Sequence, residues 1–101
     1  MAIAVMQDFP GGTQQQYNQV NDQVLAQLNL GGNTPQGCLF HTAGPIEGGW
    51  RILDVWESQD ALNTFLATLR PIAQSVGIPQ PQVTIWPIHN ILTPKGYAPG
   101  G

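Results

Sequence analysis

Charged side chains are scarce in this sequence. Of its 101 residues only 9% are Asp, Glu, Lys or Arg, whereas ordinary soluble domains carry roughly 25%. The three basic residues do not form a run, and the formal net charge is −3. Because binding to duplex DNA or to an anionic membrane surface needs several clustered cations, we expect neither nucleic acid nor a membrane as a partner.

Cysteine and long apolar segments are equally sparse. Cys38 is the single cysteine, which excludes an intramolecular disulfide and a zinc site built from cysteines. Because no basic residue stands next to it, we expect a buried, inert thiol. No apolar run approaches the roughly 18 residues of a membrane span, and no basic stretch typical of a signal peptide stands at the start. We therefore predict a cytoplasmic protein.

Amides and apolar residues take the place of the missing charge. The chain has twelve Gln and six Asn, and 42% of its residues are hydrophobic. That apolar content suffices for one packed core, and the length fits one domain. We assign this domain to residues 1–92 and expect the Pro/Gly-rich tail, 93–101, to be loosely ordered.

The hydrophobic pattern predicts six elements in the order β-α-β-β-α-β. Short apolar runs between turn residues predict strands over 2–9, 37–43, 50–57 and 83–86, the last continuing to residue 92. Apolar residues at helical spacing predict one helix over 14–28 and a second between Ser58 and Gly77. Since two helices cannot cover both faces of a four-stranded sheet, we predict a ferredoxin-like α+β fold, an antiparallel sheet with both helices on one face.

A few residues mark the ends and the irregularities of these elements. Thr13 and Gln16 have the spacing of a capping box at the start of the first helix. Pro71 lies inside the second helical pattern and lacks an N–H group, so we expect a kink or a restart near Arg70. Pro87 predicts a bulge or a sheet edge in the last strand.

The hairpin between the second and third strands predicts which side chains share a face. Pairing across the 44–49 loop places His41 and Asp54 on one side and Phe40 and Val55 on the other. We expect the apolar set to face the helices, namely Cys38, Phe40, Leu53 and Val55. The open face then carries Leu39, His41, Ile52, Asp54, Trp56, Thr84 and Trp86. Because a face with tryptophans is not a solvent face, we predict a homodimer with the sheets packed face to face.

Two segments resemble a known family. Gly49-Trp50-Arg51-Ile52-Leu53-Asp54-Val55-Trp56-Glu57-Ser58 runs from a strand into a helix, and Trp86-Pro87-Ile88-His89-Asn90 stands near the end. With the element order, they resemble the dimeric α/β-barrel superfamily and, within it, the small antibiotic-biosynthesis-monooxygenase-like (ABM-like) proteins. The resemblance implies a dimeric α/β barrel with a ligand cavity beside each sheet. Its members include cofactor-free monooxygenases of polyketide quinones, haem-degrading enzymes and proteins without known activity. The active-site Asn, Trp and Tyr set of the quinone-forming type has no match here.

The candidate catalytic residues are His41 and Asp54. A neutral imidazole in an apolar strand can act as a general base, and a carboxylate beside it can orient it. The structural alternative is a core histidine, with Asp54 paired to His41, to Arg51 or to a partner chain. Trp56, Trp86 and His89 are candidates for binding a substrate, although tryptophans more often fill cores and interfaces. Two distant histidines form no metal-ligand pattern, and no second ligand supports haem at His89, so we expect no metal or cofactor.

Three functions stay open at this point. The resemblance implies a cofactor-independent monooxygenase acting on a small aromatic or quinol-type molecule. The alternatives are a non-catalytic dimer that binds a small molecule and a purely structural dimerisation module. A cavity lined by both His41 and Asp54 would favour the enzyme.

Overall fold

The computed structural model describes residues 1–93 and 96–98. Six elements follow the predicted order, and two short strands come after them. They are β1 (Ile3–Pro10), α1 (Gln14–Leu28), β2 (Cys38–Ile46), β3 (Gly49–Trp56), α2 (Gln59–Val76), β4 (Gln82–Pro87), β5 (Ile91–Thr93) and β6 (Gly96–Ala98). The first four strands form one sheet in the order β2-β3-β1-β4, and each neighbouring pair is antiparallel. The predicted ferredoxin-like α+β fold is confirmed.

The helices begin at the predicted caps. The Thr13 hydroxyl accepts a hydrogen bond from the Gln16 backbone N–H, and the Gln16 side chain accepts one from the Thr13 N–H, both at 3.1 Å. This capping box fixes where α1 starts, because it satisfies two N–H groups that the helix itself leaves unpaired. Ser58 caps α2 in the same way, its hydroxyl accepting from the Ala61 N–H at 3.1 Å.

Two expectations about where the helices and strands end are corrected. The predicted restart near Arg70 does not occur, because α2 runs through Pro71 without interruption. Pro71 and the residue four positions before it are exposed, so water can bond the carbonyl that proline leaves unpaired. The last strand does not continue to residue 92, since β4 ends at Pro87 and β5 pairs with β6 instead. Pro87 lies on an edge strand, as predicted, because β4 pairs with β1 alone in its sheet.

The core lies between the sheet and the helices. One buried cluster joins Ile3 and Val5 of β1 to Trp56 of β3 and Leu62 of α2. A second buried cluster joins α1 to α2 and consists of Val20, Val24 and Ile72, with Phe65 packed against both clusters. Trp56 is 1% exposed and packs against Phe65, with ring centroids 5.1 Å apart and an interplanar angle of 34°. Both helices therefore cover the face of the sheet that carries Trp56.

The hairpin register is as predicted, but the assignment of its faces is wrong. His41 pairs with Asp54 and Phe40 with Val55, so these two pairs lie on opposite sides. The side with His41, Ile52, Asp54 and Trp56 faces the helices, whereas Phe40, Leu53, Val55, Thr84 and Trp86 lie on the open side. The prediction ranked the faces by apolarity alone. A polar pair can lie under the helices because its members bond each other.

A β-bulge at Leu39 explains why Cys38 and His41, predicted on opposite faces, lie on the same one. Cys38 and His41 stand three positions apart, which in a regular strand places them on opposite faces. The register of β2 shifts between Cys38 and Phe40, so Leu39 is the extra residue and both Cys38 and His41 face the helices. Cys38 therefore does face the helices, as predicted, but together with His41 rather than opposite to it.

The open face keeps large apolar side chains in contact with solvent. Phe40 is 53% exposed and Trp86 is 42% exposed. Among the described residues, no helix combines the length and the apolar character that a membrane crossing requires. The cytoplasmic location stays a prediction of the sequence, and the expected loose order of the tail falls partly on residues 94–95 and 99–101, outside the described part.

Candidate active site between the sheet and the helices

A cavity of about 740 Å³ lies between the sheet and the two helices. Its volume falls within the range typical of small-molecule sites, roughly 300–1,000 Å³. Apolar side chains from both helices and the sheet form most of its wall, among them Val20, Val24, Leu62, Phe65, Leu69 and Ile85. Polar side chains also line it, among them Tyr17 of α1, Gln7 of β1, His41 of β2 and Asp54 of β3.

His41 and Asp54 form a hydrogen-bonded pair at this cavity. They lie directly opposite each other on β2 and β3, and Nδ1 of His41 is 2.6 Å from Oδ1 of Asp54. Asp54 is 9% exposed, so its carboxylate needs partners. Its second oxygen accepts a longer bond, 3.4 Å, from Nε1 of Trp56. The carboxylate is therefore held by two donors, and it in turn fixes the imidazole of His41.

Tyr17 completes a chain of three polar side chains. It lies in the first turn of α1, and its hydroxyl is 2.5 Å from Nε2 of His41. The two rings are nearly parallel, with an interplanar angle of 9° and centroids 6.0 Å apart. Sequence reasoning missed Tyr17, because its position fits the apolar spacing of α1 and so indicates a core residue rather than a polar group of the site. The sequence did hold one indication, because the Thr13 cap places Tyr17 in the turn that begins α1.

Burial raises the pKa of two side chains at the cavity, a tyrosine hydroxyl and a cysteine thiol. Burial, and then the charge of Asp54, raise the pKa of the Tyr17 hydroxyl above its ordinary value. The same two causes raise the pKa of the Cys38 thiol to about 11, although a backbone hydrogen bond with Phe40 opposes them. Tyr17 and Cys38 therefore both keep their protons at neutral pH. Cys38 is buried, as predicted.

Gln7 adds an unused polar group to the site. Its residue is 8% exposed, it lines the cavity, and its register partners Ile52 and Val83 line the cavity too. Within the described part of the chain, its amide makes no side-chain hydrogen bond. Within the described residues, the buried side-chain polar atom left without a partner is Nε1 of Trp50, not the Gln7 amide. The Gln7 amide is therefore open to the cavity, where a ligand can bond it.

Comparison with solved structures identifies proteins of similar fold. The chain is similar to SnoaB, a cofactor-independent oxygenase from Streptomyces nogalater, with 16% identity over 90% of this chain and 95% of that one, and a TM-score of 0.61. It is also similar to Rv0793 from Mycobacterium tuberculosis, with 16% identity, coverage of 85% and 93%, and a TM-score of 0.61. No protein-family model and no curated protein matches the chain.

The chain shares its fold with ABM-like structures. A third similar structure, from Caulobacter crescentus CB15, is described as a candidate antibiotic biosynthesis monooxygenase, with 16% identity, coverage of 84% and 87%, and a TM-score of 0.59. The resemblance predicted from the sequence is thus confirmed at the level of the fold. At these identities the chemistry of this protein has to be argued from its own residues.

The structure brings together part of the predicted site. His41, Asp54 and Trp56 all line the cavity. Trp86 and His89 do not reach it: Trp86 lies opposite Ala4 on the open face, and His89 is exposed beyond the end of β4. Within residues 1–93 and 96–98, no cluster of three or more His, Cys, Asp or Glu could hold a metal ion.

Proposed function

We propose that this ABM-like protein is a cofactor-independent monooxygenase acting on a small aromatic, quinol-type molecule. The observation that carries the proposal is the His41–Asp54 pair, whose atoms are 2.6 Å apart at the wall of a largely apolar cavity. The oriented imidazole acts as a general base, and Asp54 is its positioning residue. Trp56 supports the proposal, since its indole both lines the cavity and donates to Asp54.

The reaction requires little from the protein beyond a base and a dry cavity. Loss of a hydroxyl proton to His41 makes the aromatic molecule electron-rich enough to pass an electron to dioxygen. The two radicals then combine at a ring carbon that carries one hydrogen in the ionised enol form. The peroxide takes back the proton from His41 and loses water, with the hydrogen of that carbon, to leave a carbonyl. One oxygen atom enters the product and the other leaves as water, so substrate and dioxygen balance without a further reductant.

The unused amide of Gln7 favours a ligand-binding cavity over a purely structural one. A dimerisation module needs no polar group at this cavity. A ligand oxygen can accept a hydrogen bond from the Gln7 amide, because Gln7 lines the cavity. This argument supports binding of a small polar aromatic molecule and applies equally to the non-catalytic alternative.

We also propose that the protein is a homodimer. The open face carries the exposed side chains of Phe40 and Trp86 beside Leu53 and Val55. A two-fold partner presents the same apolar surface, so the sheets can cover each other without any further sequence element. The predicted face-to-face packing is retained, with the corrected set of residues on the open side.

The test combines binding with oxygen consumption. Quenching of tryptophan fluorescence reports binding of anthrone-type and hydroquinone-type compounds, because Trp56 lies at the cavity. An oxygen electrode then measures turnover without added metal or flavin. We expect oxygen uptake by the wild type and at least a 100-fold loss in His41→Ala. Gln23→Ala, an exposed α1 residue outside the cavity, is the matched control.

The alternatives give different results in the same experiment. Saturable quenching without oxygen uptake would identify a non-catalytic binder. Absence of both would identify a structural module, and uptake that is unchanged in His41→Ala would remove His41 from the mechanism.

A further inference from the structure

Both ring nitrogens of His41 are occupied. Nδ1 lies 2.6 Å from Asp54, and because a carboxylate only accepts, Nδ1 carries the proton of the neutral ring. Nε2 then has a single lone pair in the ring plane. The Tyr17 hydroxyl, 2.5 Å away, donates to that lone pair. A bound molecule therefore meets no free nitrogen on His41.

We propose that Tyr17 is the catalytic residue that exchanges a proton with the bound molecule, and that His41 acts through it. This inference rests on the proposed function and names its proton-transfer group. The substrate hydroxyl gives its proton to the Tyr17 oxygen while the Tyr17 proton passes to Nε2 of His41. The imidazolium that results is paired with Asp54, so charge and protons balance without another group.

The position of Tyr17 is fixed on several sides. Its backbone N–H bonds the Thr13 carbonyl at 3.0 Å, directly behind the capping box. Its ring packs between His41 and the buried Trp50, whose centroid is 5.4 Å away at an angle of 34°. The backbone bond fixes where the side chain begins, and the two neighbouring rings hold its hydroxyl at His41. The hydroxyl is therefore a preorganised part of the cavity wall.

The protonation state of Tyr17 suits this role. Burial and the nearby charge of Asp54 raise the pKa of the hydroxyl, so it holds its proton at neutral pH. A protonated hydroxyl can donate to His41, and its oxygen still has a lone pair for a substrate hydroxyl. The class of molecule that fits is a phenol or enol with an acidic O–H group.

Tyr17→Phe separates this proposal from direct contact between His41 and substrate. If Tyr17 transfers the proton, removing its hydroxyl lowers kcat by about 100-fold or more and changes KM little. If His41 contacts substrate itself, the variant frees Nε2, and turnover stays the same or rises, which would overturn the proposal. Asn18→Ala, an exposed neighbour in the same turn of α1, is the matched control. Circular dichroism and thermal melting check that both variants fold.

A second measurement does not depend on oxygen chemistry. The absorption of bound 4-nitrophenol reports whether its hydroxyl is ionised. We expect the wild type to bind the probe ionised at a pH below the solution pKa of the probe, and Tyr17→Phe to bind it neutral. Equal ionisation in the two proteins, or no binding by the wild type, would overturn the proposal. A lost ionisation signal without oxygen uptake in the wild type would refute the monooxygenase and leave Tyr17 as the proton-transfer group.

Discussion

Trp86→Glu tests the proposed dimer by replacing a large apolar side chain of the open face with a charged one. A tryptophan presents up to roughly 250 Å² of surface, and Trp86 is 42% exposed. About 100 Å² per chain is thus available for burial, worth about 2.5 kcal/mol at roughly 25 cal/mol per Å². The substitution removes Trp86 from both subunits of the dimer, so we expect the association free energy to weaken by about 5 kcal/mol. That corresponds to a 10³- to 10⁴-fold rise in Kd.

Light scattering after size exclusion measures the outcome directly. The chain has a mass of 10.9 kDa, so a wild-type dimer gives about 22 kDa. We expect Trp86→Glu to give the monomer mass at micromolar concentration. Gln23→Glu adds the same charge at an exposed position of α1 and is the control. A wild type of monomer mass, or a variant that dimerises as tightly as the wild type, would refute the reasoning.

Trp56 is not a suitable site for that test. Because it is 1% exposed beneath α2, a charge there disrupts the core and unfolds the chain before it affects an interface. Trp56→Glu is therefore expected to abolish the cooperative thermal transition. A folded, monomeric Trp56→Glu variant would contradict the face assignment of the sheet.

Four further predictions concern the site and its surroundings. Asp54→Ala should lower the free energy of unfolding in urea by about 1–3 kcal/mol, because the Trp56 N–H is left buried without an acceptor; a loss below about 0.5 kcal/mol would count against this bond. Gly37→Ala should destabilise more than Gly31→Ala, since both have positive φ but only at Gly37 would a Cβ lie 2.6 Å from the Ala61 Cβ; equal melting temperatures would contradict it. Cys38, with a thiol pKa of about 11, should react with iodoacetamide at pH 8 at least about 100-fold more slowly than free cysteine. Rapid labelling of the native protein would refute the burial of this thiol. The free energy of unfolding should also fall as pH rises from about 9 to 11, because the folded thiol keeps a proton that the unfolded one loses.

Most of the fold follows from local sequence. Thr13, Gln16 and Ser58 fix the starts of the helices because a cap depends only on residues within one turn of it. The register of His41 against Asp54 follows from the short β2–β3 connection, in which Gly48 adopts a positive φ. The element order then leaves one arrangement for both helices, on a single face.

Which face the helices cover was decided only by tertiary packing. Alternation along a strand divides its side chains into two sets but does not say which set lies inside. The apolar set appeared suited to the core, yet the mutual hydrogen bonds of His41 and Asp54 allow the polar set to be buried. The bulge at Leu39, which turns Cys38 to the same side as His41, has no signature within its own few residues.

The site itself was half determined by the sequence. His41 and Asp54 stood out because a histidine and a carboxylate inside apolar strands need partners, wherever those partners lie. Tyr17 is separated from His41 by 24 positions, and only the packing of α1 across the sheet brings its hydroxyl to Nε2. The sequence thus selects residues whose chemistry is costly to bury, and the tertiary structure decides which of them meet.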